Sequence, residues 1–370
     1  MNYHLGFPGK IIFGKAQLQE LPKELSGKAK ILLVVGSHTV KSGIAKKILD
    51  LLSKFEVLEI SGIHAEPPLE DVDMVINAGR NFNADAVVAI GGGSVIDAAK
   101  AAAAIIPFEG NCADYFYGKR DISLNGLFFI ALPTTSGAGA EITSNAVLSD
   151  PESDIKKSIR HHSMYANVAI VDPELTYSCP PALTAHSGLD AFTQAVESYI
   201  SKGANTVSKA LAAKAVELIF DSLETAYHKP EDETARSDMA EGSMITAMAF
   251  AQSSLGAVHG LAHPLGAKFH IPHGLCCAIL LPLILRWNLQ VCEKELTELA
   301  NLCDLPDAKI FIDKVETLCR CLSIPTGFKD FGLNKSHYDF ILKNCRSGSM
   351  RSNPRHLEDS EIIQILETLS

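Results

Sequence analysis

Four histidines fall within sixteen residues, in the stretch HGLAHPLGAKFHIPHG at 259–274: His259, His263, His270 and His273. As a residue type, imidazole ligates divalent metals and carries protons near neutral pH. His259 and His263 are four apart and would share one face of a helix. His273 follows Pro272, which ends any helix begun upstream. The spacing resembles zinc sites but lacks the glutamate of H-E-x-x-H. From these residues alone, ligation, proton transfer and ordinary packing all stay open.

A second candidate is GLDAFTQAVESY at 188–199, where Asp190 and Gln194 are also four apart on an expected helix. Asp190 sits among Leu189, Ala191 and Phe192. A carboxylate drawn among such neighbours needs a compensating charge, which a divalent cation would supply. The alternative is a carboxylate near a helix start, favoured by the dipole there.

A third stretch suggests anion binding. AVVAIGGGSVIDAAKAAAAI (86–105) reads as strand, glycine turn and helix. Gly91, Gly92 and Gly93 let the backbone bend sharply and approach a ligand closely, and a helix start favours phosphate. Ser94 and Asp97 fit an S-x-x-D helix-start signature. Further on, PTTSGAGAE (133–141) sets Thr134, Thr135 and Ser136 at the C-terminal end of a strand, where open α/β sheets bind ligands. Two such turns on one sheet point to a dinucleotide, although neither is a G-x-G-x-x-G fingerprint.

The elements around these stretches divide in two. ILLVV (31–35), EVLEI (56–60), AVVAI (86–90) and LFFIAL (127–132) are expected strands. Helical segments at 41–55, 69–82 and 95–105 alternate with them. That rhythm argues a doubly wound, mostly parallel, Rossmann-like α/β sheet. After DPELTYSCPPALT (172–184) the spacing turns helical with no convincing strand, so an α/β domain at 1–180 and an all-helical domain at 181–370 are expected.

Bulk composition excludes other classes. The formal net charge is −10 and no run of Lys or Arg occurs, which disfavours nucleic-acid and anionic-membrane partners. The start, MNYHLGFPGKIIFG, lacks the pattern of a signal peptide. The longest apolar run, CCAILLPLILRW at 276–287, is interrupted by Pro282 and falls short of the roughly 20 residues of a membrane span. Nine scattered cysteines read as reduced thiols, hence a cytoplasmic protein.

In this order, GGGSVIDAAK, PTTSGAGAE, GLDAFTQAVESY, VHGLAHPLGAKFHIPHG and a late SNPR (352–355) resemble the iron-containing (group III) alcohol dehydrogenase family. The resemblance spans residues 7 to 366, about the whole chain. It implies a dehydroquinate synthase-like architecture, with the active site in a cleft between the two domains. It implies Asp190, His259 and His273 as metal ligands, and His263 beside the nicotinamide and substrate as proton relay. The turn from Gly91 to Ser94 would bind pyrophosphate, Thr134, Thr135 and Lys157 would contact the cofactor, and Phe250 would line the substrate pocket. His270 matches no functional position. The implied protein is a homo-oligomer transferring hydride between NAD or NADP and a small alcohol or aldehyde, with iron, zinc or manganese bound.

Two positions depart from the family pattern. Gln194 stands where the fourth metal ligand is usually histidine, and a neutral amide oxygen is the weaker donor for borderline metals. That departure keeps open a three-ligand or metal-free relative, of the dehydroquinate synthase or maleylacetate reductase kind, or a non-catalytic nucleotide binder. Ser37 stands where NAD-preferring relatives often carry aspartate. With Lys41 nearby, NADP is favoured over NAD. Arg346, Arg351 and Arg355 would suit an anionic aldehyde if they reached the cleft, and a solvated loop otherwise.

Overall fold

Runs of Val, Ile, Leu and Ala at the expected places become buried parallel strands, the behaviour of a sheet covered on both faces. The computed structural model describes residues 3–122, 126–153 and 155–370. The strands are β1 (Lys10–Phe13), β2 (Lys30–Val35), β3 (Glu56–Ile60), β4 (Ala86–Gly91), β5 (Phe128–Pro133), β6 (Asn145–Asp150), β7 (Ile155–Arg160) and β8 (Val168–Val171). Between them run α1 (Leu21–Glu24), α2 (Ser37–Lys41), α3 (Ile44–Leu51), α4 (Leu69–Phe82), α5 (Gly93–Ile105) and α6 (Cys112–Phe116). Six strands form one sheet in the order β1-β8-β5-β4-β2-β3, every pair parallel, and β6 and β7 form an antiparallel hairpin.

The sequence reading found four of these strands. It missed β1, β8 and the hairpin. β1 and β8 are four residues each, too short to show a period, and β7 alternates charged residues outward over a mostly exposed face. The chain forms two compact units, Gly6–Cys179 and Pro180–Ser370, the described residues before Gly6 belonging with the second.

The second unit consists of α7 (Pro181–Ile200), α8 (Thr206–His228), α9 (Glu233–Ser253), α10 (Ala257–Phe269), α11 (His273–Leu302), α12 (Ala308–Cys321), α13 (Tyr338–Asn344), α14 (Gly348–Ser352) and α15 (Asp359–Thr368), with no strand among its described residues. α7 packs against α8, α9 and α11, and every residue from Gly188 to Ile200 is buried. Pro282 lies inside a helix rather than at its end. α11 continues through it to Leu302, kinked at Cys292, and the thiol of Cys319 approaches the Ala278 carbonyl that the proline cannot satisfy, at 3.7 Å. By length and composition this helix could cross a membrane, but its apolar side chains form the core of the helical unit.

A buried cation fastens the α/β unit. Lys100 is 1 % exposed, and its Nζ donates to the carbonyls of Ala140, Thr143 and Asn145 at 2.6, 2.8 and 2.7 Å. Asp97, one turn earlier on α5, accepts the Val147 amide at 3.0 Å and lies 3.8 Å from Lys100. α5 thereby holds the segment after β5 in place. Burial raises the Asp97 carboxyl to about 6, against the opposing pull of Lys100 and the Val147 amide, and lowers Lys100 to about 8. Burial likewise raises Glu141 to about 7.

An acid whose pKa is raised by folding stabilises the fold most below its unfolded value, and that contribution is lost as pH rises. For Glu141 the window runs from 4.5 to about 7. Across it, Glu141→Gln should gain stability relative to the parent, by up to about 3 kcal/mol. Urea titrations at a series of pH values measure this; a difference that stays constant with pH would count against it.

Candidate functional site

From Gly188 onward helix α7 is buried on all sides, and three of its polar residues there, Asp190, Gln194 and Glu197, fall at positions that share a face. Glu197 and Asp190 find their partners on α10 and α11, whereas Gln194 bonds only within α7. Glu197 Oε1 accepts the Val258 amide at 2.7 Å, in the first turn of α10, and its Oε2 accepts from His259 Nδ1 at 2.6 Å. This turns His259 Nε2 toward Asp190 Oδ1, 3.4 Å away. His273 opens α11, with its Nε2 3.8 Å from the same oxygen. The approach of α11 to α7 depends on Gly274, where a Cβ would stand 2.3 Å from the His186 carbonyl oxygen and 3.3 Å from Asp190 Cβ.

Cys277 lies one turn beyond His273, its Sγ 3.8 Å from His259 Nε2 and 3.7 Å from His273 Nε2. One ligand atom each from Asp190, His259, His273 and Cys277 lies within 4.8 Å of the others. Gln194 Nε2 donates to Asp190 Oδ2 at 3.1 Å. Asp190 Oδ1 and Gln194 Oε1 are buried without a hydrogen-bond partner. At 3.4 Å the His259 contact to Oδ1 is an ion-pair distance without hydrogen-bond geometry. Two orphaned acceptors beside two imidazoles and a thiol suit a cation, which would satisfy what the protein leaves unmet.

Burial opposes the charge on Asp190, but His259 and His273 outweigh it and hold the carboxyl below its usual range. Burial also opposes charge on His259, whose pKa is nonetheless raised well above the ordinary histidine value by Cys277, Asp190 and Glu197. Burial pushes the Cys277 thiol up to about 12. These shifts describe a pocket of interacting charges.

The late SNPR stretch supports α10 from a distance in sequence. Asn353 Oδ1 accepts the Ala257 amide at 3.1 Å and the Asn288 amide group at 3.0 Å, and Asn353 is fully buried. His263, one turn after His259, stacks on the His273 ring with centroids 5.1 Å apart. His270 takes the left-handed conformation that ends α10, a structural role. Phe250 is half-buried in the last turn of α9. The three arginines bond mainly within their own segment, Arg346 to Leu357 and Asp359, Arg351 to Arg346 and Arg355 to Glu361, and Arg355 also ties it to Trp287 on α11.

In the α/β unit, the candidate cofactor residues gather at the C-terminal ends of adjacent strands. Val35 pairs with Ile90 and Gly91 with Pro133, so Ser37, the glycine turn and Thr134 follow neighbouring strand ends. Thr134 donates its amide to the Gly91 carbonyl at 2.9 Å. The turn needs no left-handed residue, since Gly92 has φ −74°. Close packing explains the glycines instead: a Cβ on Gly91 would stand 2.8 Å from Val95 and one on Gly93 3.1 Å from Ala138. The expected S-x-x-D cap does not form. Gly92 is the N-cap without a side-chain bond, Ser94 Oγ accepts the Glu66 amide at 3.1 Å, and Asp97 is committed to Val147. The first amides of α5 therefore keep no side-chain cap, as an anion site requires.

Three residues escaped the sequence reading. Glu197 was visible as the third polar residue on the Asp190 face, and Cys277 as the fourth residue after His273. The third is Lys156. Lys157 lies over the Phe116 and Tyr117 rings, at 4.5 and 5.2 Å, whereas Lys156 pairs with Glu66 at 2.6 Å, and Glu66 bonds Ser94. Successive strand residues face opposite ways, so only one of the two lysines lies on the side of the glycine turn.

A parallel sheet with an uncapped glycine turn suits a nucleotide phosphate, and the buried carboxylate–imidazole cluster suits a divalent cation. Comparison with known proteins agrees. Residues 8–173 match the family described as iron-containing alcohol dehydrogenase, and residues 184–370 the Fe-containing alcohol dehydrogenase family, C-terminal. The chain is 35% identical to long-chain-alcohol dehydrogenase 1 of Geobacillus thermodenitrificans, covering 98% of this chain and 95% of that one. It is 32% identical to the NADPH-dependent butanol dehydrogenase of Clostridium saccharobutylicum, covering 97% and 96%. It superposes on the sulfoacetaldehyde reductase of Bifidobacterium kashiwanohense in complex with NAD+ with a TM-score of 0.95, at 31% identity, over 100% and 99% of the two chains. The chain belongs to the iron-containing alcohol dehydrogenase family and is an NAD(P)-dependent alcohol oxidoreductase.

Because Glu197 orients His259, Glu197→Gln should weaken metal binding about 10- to 100-fold while the helical content stays intact. Competition with a chelator of known affinity measures it; unchanged affinity would show that Glu197 does not position the ligand.

Proposed function

We propose that this enzyme reduces a small aldehyde, or oxidises the corresponding alcohol, with NADP(H) preferred over NAD(H). The observation that carries the site assignment is the buried Asp190 oxygen, without a hydrogen-bond partner, facing two imidazole nitrogens. Asp190, His259 and His273 would hold the divalent metal, and the turn from Gly91 to Ser94, with Thr134 and Thr135, would hold the dinucleotide. When bound, the nicotinamide supplies or accepts hydride and the metal supplies a Lewis acid.

The chain's residues do the rest. The uncapped amides of α5 bind the pyrophosphate, and Lys156, paired with Glu66, lies on the Ser94 side of the hairpin. Ser37 follows β2 exposed, without a carboxylate to repel a ribose 2′-phosphate, and Lys41 ends the same helix. Glu197 fixes the His259 ring, leaving Nε2 for the ion. His263 carries the proton to or from the substrate oxygen, and Phe250 lines the apolar side of the substrate. The nine cysteines, with no disulfide among the described residues, suit the cytoplasm, and the family resemblance suits a homo-oligomer.

Following nucleotide absorbance over a panel of aldehydes, with NADPH and with NADH, tests the reading. Net oxidation that is lost on chelation and restored by metal is expected; turnover that survives complete metal removal would refute the metal's role. Ser37→Asp should move the preference toward NADH by about tenfold or more, roughly 1.4 kcal/mol. His263→Asn should lower kcat by about 10²- to 10⁴-fold with metal content unchanged. A normal kcat in that variant would remove His263 from the proton path.

A further inference from the structure

We propose that Cys277 binds the metal through its sulfur, so that this chain holds its ion with one carboxylate, two imidazoles and one thiolate. The proposal rests on the reading that a metal occupies this cluster, and adds a ligand to it. Position 194 offers a neutral amide whose oxygen has no hydrogen-bond partner and whose nitrogen donates to Asp190 Oδ2, so it brings no negative charge to the site. The missing donor can come from the opposite helix. Cys277 stands one turn along α11 from His273, fully buried, with its sulfur near both imidazole nitrogens.

The spacing fits. Around a tetrahedral zinc, thiolate sulfur and imidazole nitrogen stand about 3.6 Å apart, and imidazole nitrogen and carboxylate oxygen about 3.4 Å. The sulfur–nitrogen distances are 3.8 and 3.7 Å, and the nitrogen–oxygen distances 3.4 and 3.8 Å. These four distances lie within a few tenths of an ångström of those tetrahedral values, and all four ligand atoms lie within 4.8 Å of one another. The adjacent Cys276 differs, its sulfur lying 4.0 Å from the Ile271 carbonyl. On metal binding, the Cys277 thiol proton leaves to solvent as the sulfur–metal bond forms. A sulfur donor favours zinc over manganese, since thiolate selects the softer ions. Zinc can expand to five ligands, which leaves room for a substrate oxygen.

X-ray absorption at the zinc edge of the zinc-loaded full chain tests this directly. One sulfur scatterer at about 2.3 Å is expected. Cobalt loading should give a thiolate-to-metal charge-transfer band in the near ultraviolet. Both signals should vanish in Cys277→Ser and persist in Cys276→Ser. Zinc affinity should fall at least about a hundredfold in Cys277→Ser, at or beyond the upper limit for a merely supporting residue. A zinc shell of nitrogen and oxygen alone overturns this proposal and leaves the metal reading standing. A sulfur signal that survives Cys277→Ser also overturns it. A parent chain that takes up no zinc, iron or manganese overturns both. Should Cys277→Ser fail to fold, the parent's zinc spectrum still decides.

Discussion

A carboxylate on a stretch of helix that is buried throughout, Gly188 to Ile200, sets the terms for the helical unit. Asp190 is 5 % exposed in a segment where every neighbour is buried as well. An isolated charge there would be strongly unfavourable, so the packing around it has to deliver compensation. His259 is aimed by Glu197, His273 is admitted by the missing side chain of Gly274, and the ends of two helices converge on one oxygen. Taken singly, these are ordinary contacts. Their common cause is the position of one acidic residue.

The α/β unit contains the same problem with a different outcome. Lys100 is as deeply buried, but three carbonyls accept from its ammonium and Asp97 stands close by. That network is complete and serves as a fastener. The Asp190 network is not: one carboxylate oxygen and one amide oxygen lack hydrogen-bond partners. Complete buried networks rigidify, and incomplete ones point to a missing participant. The difference between a structural charge and a binding site lies in that remainder rather than in burial or residue type.

Much of this was legible in the sequence, for stated reasons. Long periodic segments were easy: β3 and α4 fall on the residues that their patterns indicated. The resemblance to the family is shown by the comparisons, and the structure brings Asp190, His259 and His273 together. What escaped was set by tertiary contacts. The Ser94–Asp97 pair has the spacing of a cap, yet each side chain finds a partner on another segment. Pro272 was read as the end of a helix, which hid the fact that His273 begins the next one and places Cys277 on its face. Two adjacent lysines cannot be told apart in a sequence, but a strand sends them to opposite sides.

Asn353 carries a consequence for how the protein is made. Every candidate ligand has been synthesised by residue 277, yet the side chain that accepts the Ala257 amide at the start of α10 arrives 76 residues later. During synthesis the ligand-bearing helices leave the ribosome well before the residue that braces them. A chain released early, or clipped near its C-terminus, would carry every candidate ligand without that brace.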